Sequence, residues 1–228
     1  MSEYDAWAPV YDAWASGMPD DVDYYVALAR EAAEPIVELA AGTGRVAIPI
    51  ARETGKRVIG IDSSPAMLAQ ASERAQSLPI EWREADMRDF ELAEPVELVI
   101  CPGRSLLHLP TWSDKLRVFE RVTAALRPGG RFAFNAFAFS HTVAAGLDGQ
   151  PQDREGIVTV NRYAPADNRI DIERDDGATL HLWWATRSEW HGLIEVAGLE
   201  IESEYGWFDR RPLEDDSPEL VFVTRKPV

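Results

Sequence analysis

The sequence predicts a doubly wound α/β fold with a seven-stranded sheet and an antiparallel flap inserted after the fifth strand. Over residues 36–137, short apolar runs alternate with segments of helical periodicity, which is typical of a parallel sheet covered by helices. Between Glu155 and Ala185 the pattern changes to strict apolar alternation, with turn signals at 165–168 and 175–177. Alternation without helices indicates short antiparallel strands.

Each element has a local justification. The predicted core strands cover residues 36–40, 57–61, 80–84, 96–101 and 131–139, and the predicted helices cover 20–33, 45–54, 64–77 and 113–127. Ser64 and Pro65 supply an N-cap and a first-turn proline. After the flap, a capping box at Thr186 and Glu189 opens a helix that Gly198 ends. Strands over 199–205 and 220–224 then close the sheet as a hairpin-like pair.

Charge and composition exclude several classes of function. The chain has 39 acidic and 23 basic residues and a net charge of −16, which would repel the phosphates of a nucleic acid. We therefore expect a small molecule or a basic partner. A single cysteine, Cys101, excludes an internal disulfide and fits a reducing compartment. No zinc or iron–sulfur spacing of Cys and His is present, so no metal is expected.

The beginning of the chain predicts a cytoplasmic location. Met1–Val10 has neither the basic nor the apolar region of a signal peptide, and no apolar run reaches the length of a bilayer span. We therefore expect no membrane attachment. The sequence leaves a homodimer open.

A glycine loop follows the first predicted strand. In Gly42-Thr43-Gly44 the absence of side chains lets backbone N–H groups approach a ligand, although the same loop also fits a simple tight turn. Asp62 ends the next strand, where a carboxylate accepts hydrogen bonds from ribose hydroxyls; an N-cap is the alternative. Together these features fit a nicotinamide site or an S-adenosylmethionine site.

Four stretches resemble the motifs of class I S-adenosylmethionine-dependent methyltransferases, in the order and spacing of that family. They are Val37–Arg45, Val58–Leu68, Glu84–Met87 and Leu126–Gly130. The resemblance covers about residues 35–137 and implies a Rossmann-like sheet, S-adenosylmethionine as cofactor, and methyl transfer to a small molecule. Ala40 departs from the pattern, because the family usually has glycine there, but alanine is small enough for close backbone approach.

The resemblance implies a role for individual residues. Glu38 would face the methionyl amino group, and Asp86 would accept the adenine amine. Met67 and Met87 would contact the adenine ring, or else pack in the core. Tyr11 would donate to the methionyl carboxylate or touch the substrate, unless it only packs an N-terminal helix. The predicted cofactor-binding residues are Tyr11, Glu38, Ala40, Gly42, Gly44, Asp62, Ser63, Met67, Asp86, Met87 and Cys101.

The segment Cys101–His108 falls where the family lines its active site. His108 is the first candidate for a general base, since the pKa of histidine lies near working pH, and His141 is the second. A structural role is the alternative for each. Arg104 fits either an acidic substrate or a surface ion pair. Five tryptophans are expected to divide between an aromatic pocket under the flap and the core: Trp7, Trp14, Trp183, Trp184 and Trp207.

The resemblance also divides the single domain of residues 1–228 into four parts. They are an N-terminal helical lid (1–34), a cofactor-binding core (35–137), a substrate flap (138–185), and a closing helix and strand pair (186–228). The predicted acceptor is a hydroxyl, amine or carboxyl of a metabolite. Two alternatives stay open: a nicotinamide-dependent reductase, whose Tyr-x-x-x-Lys pair is missing, and a non-catalytic module that binds S-adenosylmethionine.

Overall fold

The computed structural model describes residues 2–16 and 21–228. Its helices are α1 (Tyr11–Ala15), α2 (Val22–Glu31), α3 (Ala47–Thr54), α4 (Pro65–Ala75), α5 (Trp112–Ala125), α6 (His141–Leu147) and α7 (Arg187–Val196). Its strands are β1 (Ile36–Leu39), β2 (Val58–Asp62), β3 (Ile80–Glu84), β4 (Val96–Cys101), β5 (Leu126–Phe137), β6 (Pro151–Arg154), β7 (Ile157–Ala164), β8 (Arg169–Arg174), β9 (Thr179–Trp183), β10 (Glu200–Tyr205) and β11 (Glu219–Arg225). Short 3-10 turns cover Glu3–Ala6, Ser105–His108 and Pro165–Asp167.

The central sheet has seven strands in the order β10-β11-β5-β4-β1-β2-β3. Strands β1 to β5 pair in parallel, whereas β11 pairs antiparallel with both β5 and β10. The predicted doubly wound, seven-stranded sheet with a closing strand pair is therefore confirmed. The strand order reverses between β1 and β4, and ligands of such sheets bind at the carboxyl ends of the strands at that point.

Helices cover both faces of this sheet because its strands are apolar on both sides. All residues of β1 are buried, as are all but one of β4 and of β11. In β5, Phe132 and Phe134 belong to one core cluster and Ala133 to the other. Phe134 stacks on Phe222 of the neighbouring β11, with ring centroids 4.9 Å apart. This packing holds the carboxyl ends of the central strands in fixed positions.

The predicted flap forms a separate four-stranded sheet in the order β6-β7-β8-β9, with every pair antiparallel. Its apolar side chains pack against the N-terminal segment in a third cluster, which includes Trp7, Trp14, Ile172 and Leu180. The flap also contains α6 and β6, which the sequence pattern did not indicate. Only Ala144 is buried in α6 and no residue of β6 is, so neither carries a clear apolar period.

Some predicted boundaries are corrected. Helix α5 begins at Trp112, not Ser113, because the Thr111 side chain caps it by accepting from the Asp114 backbone N–H. Strand β5 begins at Leu126, before the Pro128-Gly129 pair, with a register shift opposite Val96 and Leu98. The predicted first helix began at Asp20, which lies outside the described residues; α2 starts at Val22. No helix within 2–16 and 21–228 is long and apolar enough for a membrane span.

Candidate active site

The glycine loop after β1 adopts left-handed backbone conformations at Ala40 (φ 54°), Gly42 (φ 55°) and Gly44 (φ 80°). The two glycines of the loop differ in the space around their Cα atoms. A Cβ on Gly42 would meet no atom within 4 Å, so the backbone faces open space there. A Cβ on Gly44 would lie 2.8 Å from Ile48 Cδ1 and 3.0 Å from Trp82 Cη2, so any larger residue would require these side chains to shift. Ala40 accepts an unfavourable φ, which marks a strained turn at the end of β1.

A cavity of about 510 Å³, the loop cavity, lies beside this turn at the carboxyl ends of β1 and β2. Its size is that of a small-molecule site. The predicted residues that line it are Tyr11, Ala40, Gly42, Asp62, Ser63, Met67, Asp86, Met87 and His108. Glu38, Gly44 and Cys101 do not line it. Cys101 is buried at the end of β4, and burial raises the pKa of its thiol.

Glu38 lies in β1 and is only 2% exposed. Its Oε2 has no hydrogen-bond partner among residues 2–16 and 21–228. Burial raises the pKa of this carboxyl well above its usual range, although Arg45 opposes the shift. An unpartnered buried carboxyl oxygen beneath the glycine loop is costly, and a donor held at that loop, such as an amino group, would satisfy it directly or through a bridging water. The residues present therefore fit the methionyl end of S-adenosylmethionine.

Asp62 and Asp86 differ in the groups that hold them. The Oδ2 of Asp62 accepts from the Gly42 N–H and its Oδ1 from the Ser64 N–H, both at 2.8 Å. Burial raises the pKa of Asp62 in spite of these bonds. Asp86 is bound by Arg88, whose Nη2 lies 2.6 Å from Oδ2 and whose Nε lies 2.9 Å from Oδ1. The Arg88 guanidinium lowers the pKa of Asp86 and lines the loop cavity beside it, a neighbour that the motif did not suggest.

The N-terminal segment 2–16 covers the loop cavity. Asp5 accepts from the Ser64 hydroxyl at 2.6 Å, and Asp12 accepts from the Thr43 hydroxyl at 2.8 Å. At its start, Glu3 bonds the His181 ring of the flap, with Oε1 and Nδ1 2.7 Å apart. The segment is thus tied both to the loops after β1 and β2 and to the flap, as expected of the predicted lid. It brings Tyr4 and Tyr11 over the cavity.

His108 sits in the 3-10 turn after β4 and bonds at both ring nitrogens. The distance from Nδ1 to the His181 carbonyl oxygen is 3.0 Å, and from Nε2 to the Tyr4 hydroxyl 2.7 Å. Because a carbonyl only accepts, Nδ1 carries the proton and Nε2 accepts from Tyr4. Burial lowers the pKa of His108 to about 4, so the ring is neutral at neutral pH. Burial also raises the pKa of Tyr4 well above its usual range.

A second cavity of about 580 Å³, the flap cavity, lies between the flap, α6 and the end of β5. It shares Tyr4, Tyr11 and His108 with the loop cavity, so the two spaces adjoin at these three side chains. Arg104 lines it and pairs with the buried Glu219, Nε to Oε1 at 2.8 Å. Arg104 therefore forms an ion pair, as one of its two predicted alternatives had it, but its partner Glu219 is buried and not on the surface.

Other predicted residues take varied positions. His141 lines neither cavity, and its ring packs edge-on against Phe139 with centroids 5.1 Å apart. Trp183 lines the loop cavity and Trp14 the flap cavity, whereas the other three tryptophans are buried or packed in core clusters. Arg88 and the polar residues of β6, Gln152 and Arg154, were not assigned to the site from the sequence. They come from segments far apart in the chain, so no local spacing links them.

Among the residues that the structure describes, no group of three or more His, Cys, Asp or Glu side chains is arranged to hold a metal.

Several known proteins are similar to this chain in sequence or in fold. A family model described as a methyltransferase domain matches residues 36–130. The cypemycin N-terminal methyltransferase of Streptomyces sp is 24% identical over 84% of this chain and 82% of its own. The trans-aconitate 2-methyltransferase of Azoarcus sp. (strain BH72) is 34% identical over 75% of this chain and 66% of its own. The solved CcbJ methyltransferase of Streptomyces caelestis superposes with a TM-score of 0.86 at 24% identity, covering 100% of this chain and 99% of that one.

The chain belongs to the class I S-adenosylmethionine-dependent methyltransferases. Its cofactor is S-adenosylmethionine, and the protein is an enzyme of that class. The fold, the family and the cofactor predicted from the sequence are confirmed, and the reductase alternative gives way to them.

Proposed function

We propose that the enzyme transfers the methyl group of S-adenosylmethionine to a hydroxyl, amine or carboxyl of a small molecule bound in the flap cavity. The observation that carries this proposal is that the two cavities meet at Tyr4, Tyr11 and His108. A methyl donor in one cavity and an acceptor in the other would meet beside these three residues, where they could be held in the alignment that a direct displacement requires. The flap cavity has the volume of a small-molecule site, and the net charge of −16 argues against nucleic acid.

The names of the similar proteins support small acceptors. One is named as a methyltransferase of the cypemycin N-terminus, and another as a methyltransferase of trans-aconitate. They differ in the acceptor group, so they favour a class of substrate for this chain and leave its accepting atom open.

The contacts around Tyr4 and His108 suggest how the acceptor loses its proton. S-adenosylmethionine, when bound, supplies a methyl carbon made electrophilic by its sulfonium. Tyr4 would take the proton that the acceptor loses on methylation and would pass its own hydroxyl proton to His108 Nε2, to which it is hydrogen-bonded. The Nδ1–H of His108 stays on the His181 carbonyl, which holds the ring in place and stabilises the imidazolium. Solvent then removes the proton.

This proton path matters most for a hydroxyl acceptor. An alcohol O–H becomes strongly acidic as the O–CH3 bond forms, so even a base of pKa about 4 can take its proton. A neutral amine attacks through a free lone pair, and a carboxylate has no proton to lose. The three acceptor types should therefore respond differently when the path is removed.

Calorimetry with S-adenosylmethionine, S-adenosylhomocysteine, NADH and NADPH tests the cofactor half of the proposal. We expect binding of the two sulfur compounds alone. A screen of small hydroxyl, amine and carboxylic-acid acceptors, read by mass increase, then tests the acceptor half. Turnover of any of them supports the proposal. Methylation of a protein substrate alone would overturn it, and so would binding of the cofactor with no transfer to any acceptor.

A further inference from the structure

The inner face of the flap is chemically divided. Strands β8 and β9 line the flap cavity with Ile170, Ile172, Leu180 and Leu182, whereas β6 and β7 line it with Gln152, Arg154, Thr159 and Asn161. In the sheet, β9 contacts the turn that carries His108, and β6 is the opposite edge strand. At a strand spacing of about 4.8 Å, the two edges are about 14 Å apart along the sheet. The cavity is thus apolar near His108 and polar at the far edge.

Arg154 ends β6 and points to the inner face, since its neighbours Asp153 and Glu155 are exposed while it is half-buried. Its guanidinium lies over the Trp14 ring, 5.7 Å from the centroid. Among residues 2–16 and 21–228 it has neither an ion pair nor a side-chain hydrogen bond, although most arginines of this acidic chain are paired with a carboxylate, Arg88, Arg131 and Arg187 among them. Burial and the charge of Arg104 lower the pKa of Arg154. A half-buried cation without a counter-ion is costly, so its carboxylate or phosphate partner would be strongly held.

Gln152 adds a second donor on the same face of β6, two residues before Arg154. Its Nε2 is buried and has no hydrogen-bond partner within the part of the chain that the structure describes. A buried donor left without an acceptor costs about 1–3 kcal/mol. Thr159 lies directly opposite it on β7. Two side chains of one strand therefore line one space, neither has a hydrogen-bond partner for its side-chain nitrogens in the described residues, and both can donate to an acceptor oxygen.

The other charges of the flap cavity do not neutralise Arg154. Arg104 is already compensated by Glu219. Asp215 and Asp216 also line the cavity, but they lie on an exposed loop at its mouth, where water screens them. The half-buried far end of the cavity thus keeps an uncompensated positive charge.

We infer that the acceptor molecule carries an anionic group, a carboxylate or a phosphate, which Arg154 and Gln152 bind at the far edge of the flap while the accepting atom lies near Tyr4 and His108. This inference rests on the proposed function, since it takes the flap cavity as the acceptor site. It makes Arg154 a specificity-determining residue. It also predicts the distance between the anionic group and the accepting atom of the substrate: on the order of 10 Å, because the sheet edges are about 14 Å apart and the arginine side chain spans part of that distance.

The test uses matched probes of one length. The protein saturated with S-adenosylhomocysteine is titrated with 3-phenylpropanoate, 3-phenylpropanamide, 3-phenylpropylamine and 2-phenylethyl phosphate, and binding is followed by calorimetry. We expect at least one of the two anions to bind at least tenfold more tightly than the amide and the amine. The preference should be lost in Arg154→Gln and reduced in Gln152→Leu. Arg52→Gln, a change at an exposed arginine on α3 without an ion pair in the described residues, should keep it.

A preference for the carboxylate or for the phosphate identifies which anion the site takes. Equal binding of the four probes, tighter binding of the amine, binding of none, or a preference that survives Arg154→Gln would each overturn the inference. The titration with S-adenosylhomocysteine is read first. Its failure would count against the proposed function, whereas normal binding of S-adenosylhomocysteine with no anion preference counts against the role of Arg154 alone.

Discussion

The hydroxyl of Tyr4 lies 2.7 Å from Nε2 of His108, although 104 residues separate them. The bond joins the N-terminal segment to the turn after β4, and its two residues line both the loop cavity and the flap cavity. The other ring nitrogen of His108, Nδ1, is hydrogen-bonded to the backbone carbonyl of His181 in the flap. Lid, core and flap thus meet at one histidine ring.

We first predict that Tyr4→Phe and His108→Asn each lower turnover of a hydroxyl acceptor tenfold or more, because each breaks the proton path. Affinity for S-adenosylhomocysteine should change little. Steady-state rates and calorimetry on the same preparations measure the two effects. Tyr24→Phe is the control, since the Tyr24 hydroxyl is buried in another cluster and has no hydrogen-bond partner in the described chain. Normal turnover in both variants would remove the pair from the mechanism.

The pKa of His108 predicts a pH dependence of stability. The native ring stays neutral until its pKa of about 4, whereas the unfolded ring takes a proton near pH 6.5. The stability that depends on the neutral ring is therefore complete above pH 6.5 and is lost as the pH falls from 6.5 to 4. Urea unfolding of His108→Asn across that window should show a shallower loss than the wild-type protein. Identical slopes for the two proteins would contradict the shift.

The glycine loop predicts a difference between two alanine substitutions. Gly44→Ala puts a Cβ at 2.8 Å from Ile48 Cδ1 at φ 80°, whereas Gly55→Ala, at φ 69°, meets no atom within 4 Å. In both variants the left-handed backbone conformation lowers the free energy of unfolding by about 1 kcal/mol. Only the first adds a clash, so its free energy of unfolding should fall by about 1–3 kcal/mol more. Denaturant unfolding of the pair measures the difference, and equal losses would show that α3 simply shifts.

Glu219 predicts a large loss of stability. Its side chain is 0% exposed, and it accepts from Arg104 and, at 3.0 Å, from Asn135 Nδ2. Glu219→Ala would leave both donors without their acceptor, so we expect a loss of about 3 kcal/mol. Glu81→Ala removes the exposed pair with Arg83 and should cost less than about 1 kcal/mol. Similar midpoints of thermal unfolding for the two variants would contradict this reading of the buried pair.

Asp62 predicts a loss of cofactor affinity. Its carboxylate holds the Gly42 and Ser64 N–H groups and lines the loop cavity. Asp62→Asn removes a charged acceptor and should weaken binding of S-adenosylhomocysteine at least tenfold, about 1.4 kcal/mol. Asp89→Asn, in an exposed pair with Arg117, should leave it unchanged. An unchanged dissociation constant in Asp62→Asn would show that this acid only shapes the loop.

The sequence indicated the central sheet because its information is local. The apolar run before Gly42 and the cap at Ser64 each act within a few residues, and the structure places a strand and a helix there. The polar edge of the flap left no such trace. Gln152 and Arg154 alternate with exposed residues on β6, a strand in which no residue is fully buried. The contact that identifies this face is the one between Arg154 and Trp14, which is distant in the sequence.

The candidate base shows the same limit. His108 could be chosen from its place after β4, but its tautomer and low pKa depend on Tyr4 and His181, which come from the lid and the flap. His141 had the same claim from its place after β5, yet it faces Phe139 outside both cavities. Packing between distant segments decides which of the two histidines faces a cavity. The spacing of residues along the sequence does not predict this packing.

The lid has a consequence for the rate of the enzyme. We expect the N-terminal segment to act as a lid: because Asp5 and Asp12 bond the loops after β2 and β1 and Glu3 bonds the flap, release of S-adenosylhomocysteine would require several of these contacts to break together. Opening of such segments takes microseconds to milliseconds and often limits turnover. We therefore expect the frequency of lid opening, more than the speed of bond formation, to set how many molecules the enzyme methylates per second.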